Sequence, residues 1–336
     1  MNTKSIVRIL AMSFLIVFLV GQVIFAAGSY PEKPITMIVP WSVGGMTDLS
    51  ARTMQPILQE ILKVPVVVNN MPGGSGAVGT EFVANAKADG YTILFSAETP
   101  ATFDVLELSS YTFEDFNPLI VLTMGIPSFC VHKDAQWKTI EEILEDARKR
   151  PGEILLAHSG LGASSHINAM MLKAAGIDLK AVAYSGGGPA VTAVLQREVD
   201  VTCQLLPEVS AYIDSGDLRL LSTFTNERTE FYPDVPALGE VLPEIRRFLP
   251  WGTFYVPCTL KGTPEEVNEV LLNAFNEAIE DPRWIEQTKK MSALTPNYTG
   301  EEALKFIQNW RSITSWLLYE GGIAKKSPAD LGIPKP

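Results

Sequence analysis

The chain has 336 residues, 46% of them hydrophobic, and a formal net charge of −11. So acidic a chain lacks the clustered Lys and Arg that nucleic-acid phosphates require, and it offers no attraction to anionic lipid head groups. Its three cysteines, Cys130, Cys203 and Cys258, are odd in number and far apart, which excludes a disulfide framework and makes buried free thiols the default, with a Cys130–Cys203 bridge as the alternative.

The chain opens with Lys4 and Arg8, an apolar run over 9–25, and the small residues Ala26, Ala27 and Gly28. That order predicts a secretory signal peptide over 1–28, cleaved between Ala26 and Ser29, and hence a periplasmic protein. An uncleaved anchor fits less well, because the run is short for a span and broken by Gly21 and Gln22. No cysteine lies near the exit, so a lipoprotein is not expected. Cleavage removes Lys4 and Arg8 and takes the net charge from −11 to −13. The remaining length of about 310 residues suggests two domains.

After the signal, strands and helices alternate. A strand is predicted over 35–39, a helix over 48–62, a strand over 66–68, a helix over 77–86 and a strand over 92–96. The style repeats in the middle of the chain. A helix starts near Thr139, where Thr139 and Glu142 have capping-box spacing. Strands follow over 154–157, 181–184, 199–204 and 218–223, with helices over 164–175, after Pro189, and over 208–215. Such alternation favours parallel sheets flanked by helices. The Pro-rich stretch 232–236 reads as a surface loop. Beyond an apolar run over 251–256 the chain turns helical. Thr263, Pro264 and Glu266 mark one helix start, and Thr299 with Glu302 another.

Three glycine-rich turns stand between a strand and a helix. The first runs from Pro40 through Trp41, Ser42, Gly44, Gly45 and Met46 to Thr47 and Asp48, either of which would cap the helix. The second runs from His158 through Ser159, Gly162 and Ser164 to His166, with Ser164 as its expected cap. The third runs from Tyr184 through Gly186 and Gly187 to Pro189. A helix N-terminus carries partial positive charge and free N–H donors, which suits a carboxylate or phosphate. Open α/β sheets bind ligands at the carboxyl ends of their strands. One such turn in the first half and two in the second predict two sheets facing a shared cleft. The turns hold almost no Arg or Lys, so an anion would be met by backbone N–H groups, hydroxyls and bridging water. The plainer reading of each is a tight turn with no ligand.

Catalytic readings fare worse. Ser164 or Ser165 beside His166 suggests a hydrolase, but neighbours at a helix start rarely align for proton transfer, and no G-x-S-x-G elbow is present. His132, His158, His166 and the cysteines lack metal-ligand spacing, so no metal is expected. Gly74, Gly76 and Gly79 match a dinucleotide fingerprint, yet they follow the second strand, and Asn69, Asn70 and Pro72 intervene. A turn that tucks a helix close to its sheet explains them, and no cofactor is expected.

Taken in order, these segments resemble the receptor family of tripartite tricarboxylate transporters, also called the Bug family. The matching residues are Tyr30-Pro31 with Pro34-Ile35, Gly44-Gly45 with Thr47, Asp48 and Arg52, Asn70 with Pro72-Gly73, and Asp89 through Thr92. His158 through His166, Tyr184 through Pro189, Pro233 through Pro236 and Gly262 through Pro264 continue the match. The resemblance implies an α/β, two-lobed periplasmic binding protein fold of type II-like arrangement. Each lobe would be a mainly parallel sheet flanked by helices, with the ligand cleft between lobes. Residues 29–125 and 253–336 would form the first lobe and 126–252 the second, with crossings near 124–128 and 247–253. The implied ligand is a small carboxylate: a di- or tricarboxylate, an aromatic acid or an acidic amino acid. Carried onto this chain, Ser42, Gly44, Gly45 and Asp48 would serve from one lobe, with Asp48 ordering the turn more than touching the anion. Ser159, Gly162, Ser164, Gly186 and Gly187 would serve from the other, and His166 would line the cleft. Trp41, Met46, Ala97, Glu98 and the stretch 205–208 would choose the far end of the ligand, Glu98 opposing a second carboxylate or pairing with an amine. Trp41 and Met46 are bulkier than the family pattern, and Ser185 stands where a basic residue is frequent. The implied partners are the large and small membrane subunits of a transporter, served by a monomeric receptor with no enzymatic role. A sensing receptor and a secreted enzyme acting on carboxylates are the rivals.

Overall fold

The computed structural model describes residues 30–336; the expected signal peptide and its cleavage point lie outside the described residues. The first unit begins with β1 (Ile35–Val39), α1 (Met46–Leu62), β2 (Val66–Asn70), α2 (Ala77–Ala84) and β3 (Thr92–Ala97). β1 lies between β2 and β3 and pairs in parallel with both, Met37 lying beside Val68 and Ile93. Met37, Ile38 and Val39 are fully buried, which is why these three are consecutively apolar and do not alternate with polar residues. α1 turns Ala51, Met54, Ile57 and Leu58 inward at helical spacing.

Three short strands follow, β4 (Phe116–Pro118), β5 (Ile120–Val121) and β6 (Thr123–Gly125), and the chain then crosses into a second sheet. Its elements are β7 (Ser128–His132), α3 (Ile140–Lys149), β8 (Leu155–His158), α4 (Ser164–Ala174), β9 (Lys180–Ala183) and α5 (Gly187–Leu195). β10 (Val201–Thr202), α6 (Leu206–Asp214) and β11 (Leu218–Thr223) complete it, in the strand order β11-β7-β10-β8-β9. The chain returns through β12 (Phe254–Leu260), α7 (Glu265–Ala278), α8 (Pro282–Lys290), β13 (Ala293–Leu294), β14 (Tyr298–Thr299) and the long α9 (Gly300–Glu320). The first sheet thus has the order β13-β6-β12-β3-β1-β2, with β4 also on β12.

Both sheets are mixed. Parallel pairing is confined to β1–β3 and to β8–β10, because the returning β12 runs antiparallel to β3, β4 and β6, and β7 runs antiparallel to β10 and β11. The helix starts also depart from expectation in detail. Thr139 and Glu142 form the predicted capping box, with Glu142 N–H donating to Thr139 Oγ1 at 3.3 Å. Thr263 instead donates its hydroxyl to the Leu260 carbonyl at 2.7 Å, and α7 begins after Pro264 without a side-chain cap. Thr299 holds the N-cap position of α9 but makes no capping bond. α5 begins at Gly187, ahead of Pro189, since a first-turn proline gives up only an N–H that has no helical acceptor. All three cysteines are buried free thiols, with Cys130 beside Thr202 on the neighbouring strand.

The two crossings lie against each other. Gly125 N–H donates to the Thr253 carbonyl at 2.7 Å, and a Cβ on Gly252 would overlap the Gly125 carbonyl oxygen. α9 fastens this junction: Trp310 Nε1 donates to the Gly252 carbonyl and Trp251 Nε1 to Thr314 Oγ1, each at 2.9 Å. No helix among the described residues is long and apolar enough to cross a membrane.

Candidate functional site

A cavity of about 400 Å³ opens between the two sheets, bounded by Trp41, Glu98 and Thr99 on the first side and by Gly162, Ser164 and Ile167 on the second. Trp251 at the junction, with Trp310, Thr314 and Leu318 of α9, closes its apolar end.

The first side is set by a buried polar lock. Asp48, 1% exposed, accepts the Gly44 N–H at 2.9 Å and the Asn70 Nδ2 at 2.9 Å, and pairs with Arg52. Asn70 Nδ2 also reaches the Trp41 carbonyl at 3.0 Å, while Arg52 donates to Asn70 Oδ1 at 2.8 Å. Burial pushes the Asp48 pKa up, but the Gly44 amide, Asn70 and Arg52 outweigh it and hold the carboxyl below its ordinary range. Asp48 therefore ties the turn from inside the helix; Gly45 is the N-cap, and neither Thr47 nor Asp48 fills that position. The glycine tract serves packing. Gly76, at φ 96°, leaves room for the Trp41 ring and Thr99 Oγ1, which a Cβ would meet at 3.3 and 3.4 Å. A Cβ on Gly79 would press on Pro40 at 2.8 Å, so α2 is tucked against the end of β1 and the dinucleotide-like spacing is accounted for.

On the second side Ser165 Oγ accepts the Ser159 N–H at 3.0 Å and Gln204 Nε2 at 3.2 Å. His166 Nδ1 accepts the Gly162 N–H at 3.1 Å, and its ring stacks on His158 with centroids 4.4 Å apart. Burial, then the neighbouring His158, lowers the His166 pKa to about 4, and burial also lowers that of His158. The imidazole that would have to activate a serine is thus committed to the turn backbone. α4 begins after Ala163, so Ser164 is its first helical residue and not its cap.

Freed from capping, Ser164 keeps its Oγ buried with no hydrogen-bond partner, as do Trp41 Nε1, Thr99 Oγ1 and Glu98 Oε2. The four residues that carry them line one cavity from both sides. Buried polar atoms are rarely left unpaired, and each is a place for a ligand atom or water. Burial pushes the Glu98 carboxyl up to about 7, although its own amide and that of Phe254 oppose the shift.

Of the residues expected at the ligand, the fold brings Trp41, Glu98, Gly162 and Ser164 to this cavity. Ser42, Gly44 and Gly45 are exposed on the first turn and Met46 is half-buried behind them, while Asp48 is enclosed beneath. Ala97 is sealed in β3 opposite Tyr255, Ser159 is bonded to Ser165, and His166 is stacked on His158. Gly186 and Gly187 stand at the start of α5, where a Cβ on Gly187 would meet the Glu208 carboxylate and push it aside. Sequence reasoning missed Thr99, Trp251 and the α9 residues. The last had a signal, since Trp310, Thr314 and Leu318 repeat every four residues and place a hydroxyl within an apolar stripe.

A family model described as "Tripartite tricarboxylate transporter family receptor" matches residues 50–318. Protein BugT of Bordetella pertussis is 30% identical over 298 residues, covering 86% of this chain and 90% of its own. A TctC solute binding protein from Polaromonas superposes with a TM-score of 0.78 at 27% identity, over 87% of this chain and all of its own. The periplasmic binding protein BugD, also 27% identical, gives 0.69 over 88% of this chain and 100% of its own. The match over most of the chain, the two-sheet architecture and the cavity between the sheets place this protein in the tripartite tricarboxylate transporter receptor family, with the fold of a two-lobed periplasmic binding protein.

Proposed function

We propose that the chain is an exported receptor that captures a small organic carboxylate between its lobes and delivers it to the membrane subunits of a tripartite transporter. The observation that carries this reading is the convergence of unpaired buried donors, Trp41 Nε1 and Thr99 Oγ1 from one side and Ser164 Oγ from the other, on one cavity. Ser164 also opens a helix, whose first-turn N–H groups favour an anion, while the N–H groups of Gly162 and Ala163 just before it are spent on His166 and Gly160. MatC from Rhodopseudomonas palustris, which shares the fold at 24% identity with a TM-score of 0.68, carries bound malate.

In this reading residues 29–125 with 253–336 form one lobe and 126–252 the other. The exposed first turn, with Ser42, Gly44, Gly45 and Met46, and the α5 start at Gly186 and Gly187, close toward the ligand when the lobes approach. Ligand bridging both lobes shifts an open–closed equilibrium toward the closed form, the state offered to the transporter. The signal-like segment 1–28 supplies the route out of the cytoplasm.

Native mass spectrometry of protein isolated from the exported fraction tests the reading. The expected result is a retained small acid that is lost on refolding and restored by adding it back. A refolded protein that binds no carboxylate from a broad panel in calorimetry contradicts it.

A further inference from the structure

The cavity has one ionisable wall residue among those described, and it is acidic. Glu98 lies at the end of β3 with Oε2 buried and unpartnered, and no Arg, Lys or His joins it. Around the same space stand Trp41, Trp251 and Trp310. The indole N–H groups of Trp251 and Trp310 are already used on Thr314 and Gly252, and the two buried rings are stacked on each other, so they serve as apolar wall, whereas Trp41 keeps an unspent donor. The cavity therefore holds two kinds of unmet demand. Trp41 Nε1, Thr99 Oγ1 and Ser164 Oγ can donate to an acid group. Glu98 Oε2 asks for a hydrogen-bond donor, and a cation answers it best.

A plain di- or tricarboxylate fits these demands poorly. With no cation beside it, Glu98 could accept a second carboxylate only by staying protonated, which becomes costly above about pH 7, in a chain whose net charge is already −11. Like charges in an enclosed, weakly polar space repel strongly. A cationic nitrogen reverses the sign, because it pairs with Glu98 in a charge-assisted hydrogen bond.

We infer that Glu98 is a cation subsite, and that the ligand is a zwitterion carrying a protonated or quaternary nitrogen together with its carboxylate. This rests on the carboxylate reading above and narrows it to one ligand class. The acid group meets Trp41, Thr99 and Ser164, and the nitrogen meets Glu98. The tendency of burial to protonate Glu98 is relieved when the cation arrives, so binding the nitrogen ionises the carboxyl.

The test uses refolded, ligand-free protein and matched probes in calorimetry at pH 7.5: hexanoate against 6-aminohexanoate, glutarate against 4-aminobutyrate, and 3-phenylpropanoate against phenylalanine, with tetramethylammonium as the nitrogen-only probe. The expected result is that the nitrogen-bearing member of at least one pair binds about tenfold or more tighter than its partner. Glu98→Gln then brings the pair to within about twofold, while Trp41→Phe, which keeps the ring and removes the N–H, weakens both members together. The wild-type ratio decides the matter even if the Glu98 variant does not fold. Plain acids that bind as tightly as their amino partners, with a ratio that Glu98→Gln leaves unchanged, overturn the cation subsite and leave the carboxylate receptor standing. Tetramethylammonium binding without any acid overturns the carboxylate receptor and keeps the subsite. Silence from every probe overturns both.

Discussion

Trp251 and Trp310 lie almost parallel, 8° apart in plane with ring centroids 5.7 Å apart, although 58 residues separate them in sequence. Each indole N–H is donated to the other's segment, Trp251 to Thr314 and Trp310 to Gly252. The pair thus fastens α9 to the chain's return from the second sheet and forms the apolar end of the cavity. Trp310→Ala is expected to cost about 3–5 kcal/mol, the usual range for emptying a buried large aromatic site. Trp310→Phe keeps much of the stacking and loses the hydrogen bond, leaving the Gly252 carbonyl unpaired, for about 1–3 kcal/mol. Urea unfolding of the two variants measures both.

The neighbouring glycine is a second point of sensitivity. A methyl group on Gly252 would run into the Gly125 carbonyl of the other crossing, which is backbone and cannot rotate away. Gly252→Ala is expected to destabilise by about 1–3 kcal/mol through overpacking and to weaken ligand closure. Gly188→Ala, where a Cβ meets nothing within 4 Å and φ, as at Gly252, is not positive, is the control for adding a methyl group without a clash. Equal losses in the two variants would contradict the steric account.

Asp48 acts through the turn it holds. Asp48→Ala leaves the Gly44 amide, Asn70 and Arg52 without their shared partner, and a loss of about 1–3 kcal/mol follows from removing hydrogen bonds to a charged acceptor, the donors being exposed or half-buried and open to water. Ligand affinity should fall as well, because Asn70 also fixes the Trp41 carbonyl. Ser42→Ala, on the exposed part of the same turn, should change stability by no more than about 0.5 kcal/mol. Thermal unfolding and calorimetry on the two variants separate the roles.

Two groups give pH dependences of opposite sign in the ligand-free protein. His166 titrates at about 4 in the fold against 6.5 when unperturbed, so its contribution is complete above 6.5 and is lost as pH falls toward 4. Glu98 titrates at about 7 against 4.5, so its contribution is present below 4.5 and is lost as pH rises through 7. Glu98→Gln should therefore gain stability relative to wild type between pH 4.5 and 7, while His166→Asn should flatten the acid limb. Denaturant midpoints across pH 4 to 8 check both slopes.

How far the sequence carried the fold follows from element length and period. β1 and β11 match their predicted limits because each is a short run, at least half apolar, with Pro, Gly or polar residues close to both ends, and α1 and α4 differ by a residue or two at their ends. β4, β5, β6, β13 and β14 are two or three residues long, too short for any periodic signal. Cap chemistry misled at Ser164 and Asp48, since hydroxyl and carboxyl near a helix start also bond within the turn or face a cavity. The glycine turns led to Gly162 and Ser164, and the strand ends led to Trp41 and Glu98. Thr99 lies one residue past the stretch that was singled out. The spacing of Trp310, Thr314 and Leu318 marks one helix face, but that this face meets the cavity beside Trp251 follows from α9 folding back across the junction, which local spacing does not encode.

The most direct test of the account is a crystal structure of the protein with its co-purified or best-binding acid. The account predicts density between the lobes within hydrogen-bond reach of Trp41 Nε1 and Ser164 Oγ, and a donor of the ligand on Glu98. Density confined to another recess, such as the polar one lined by Arg150 and Arg197, with the interlobe cavity holding only water, would contradict it.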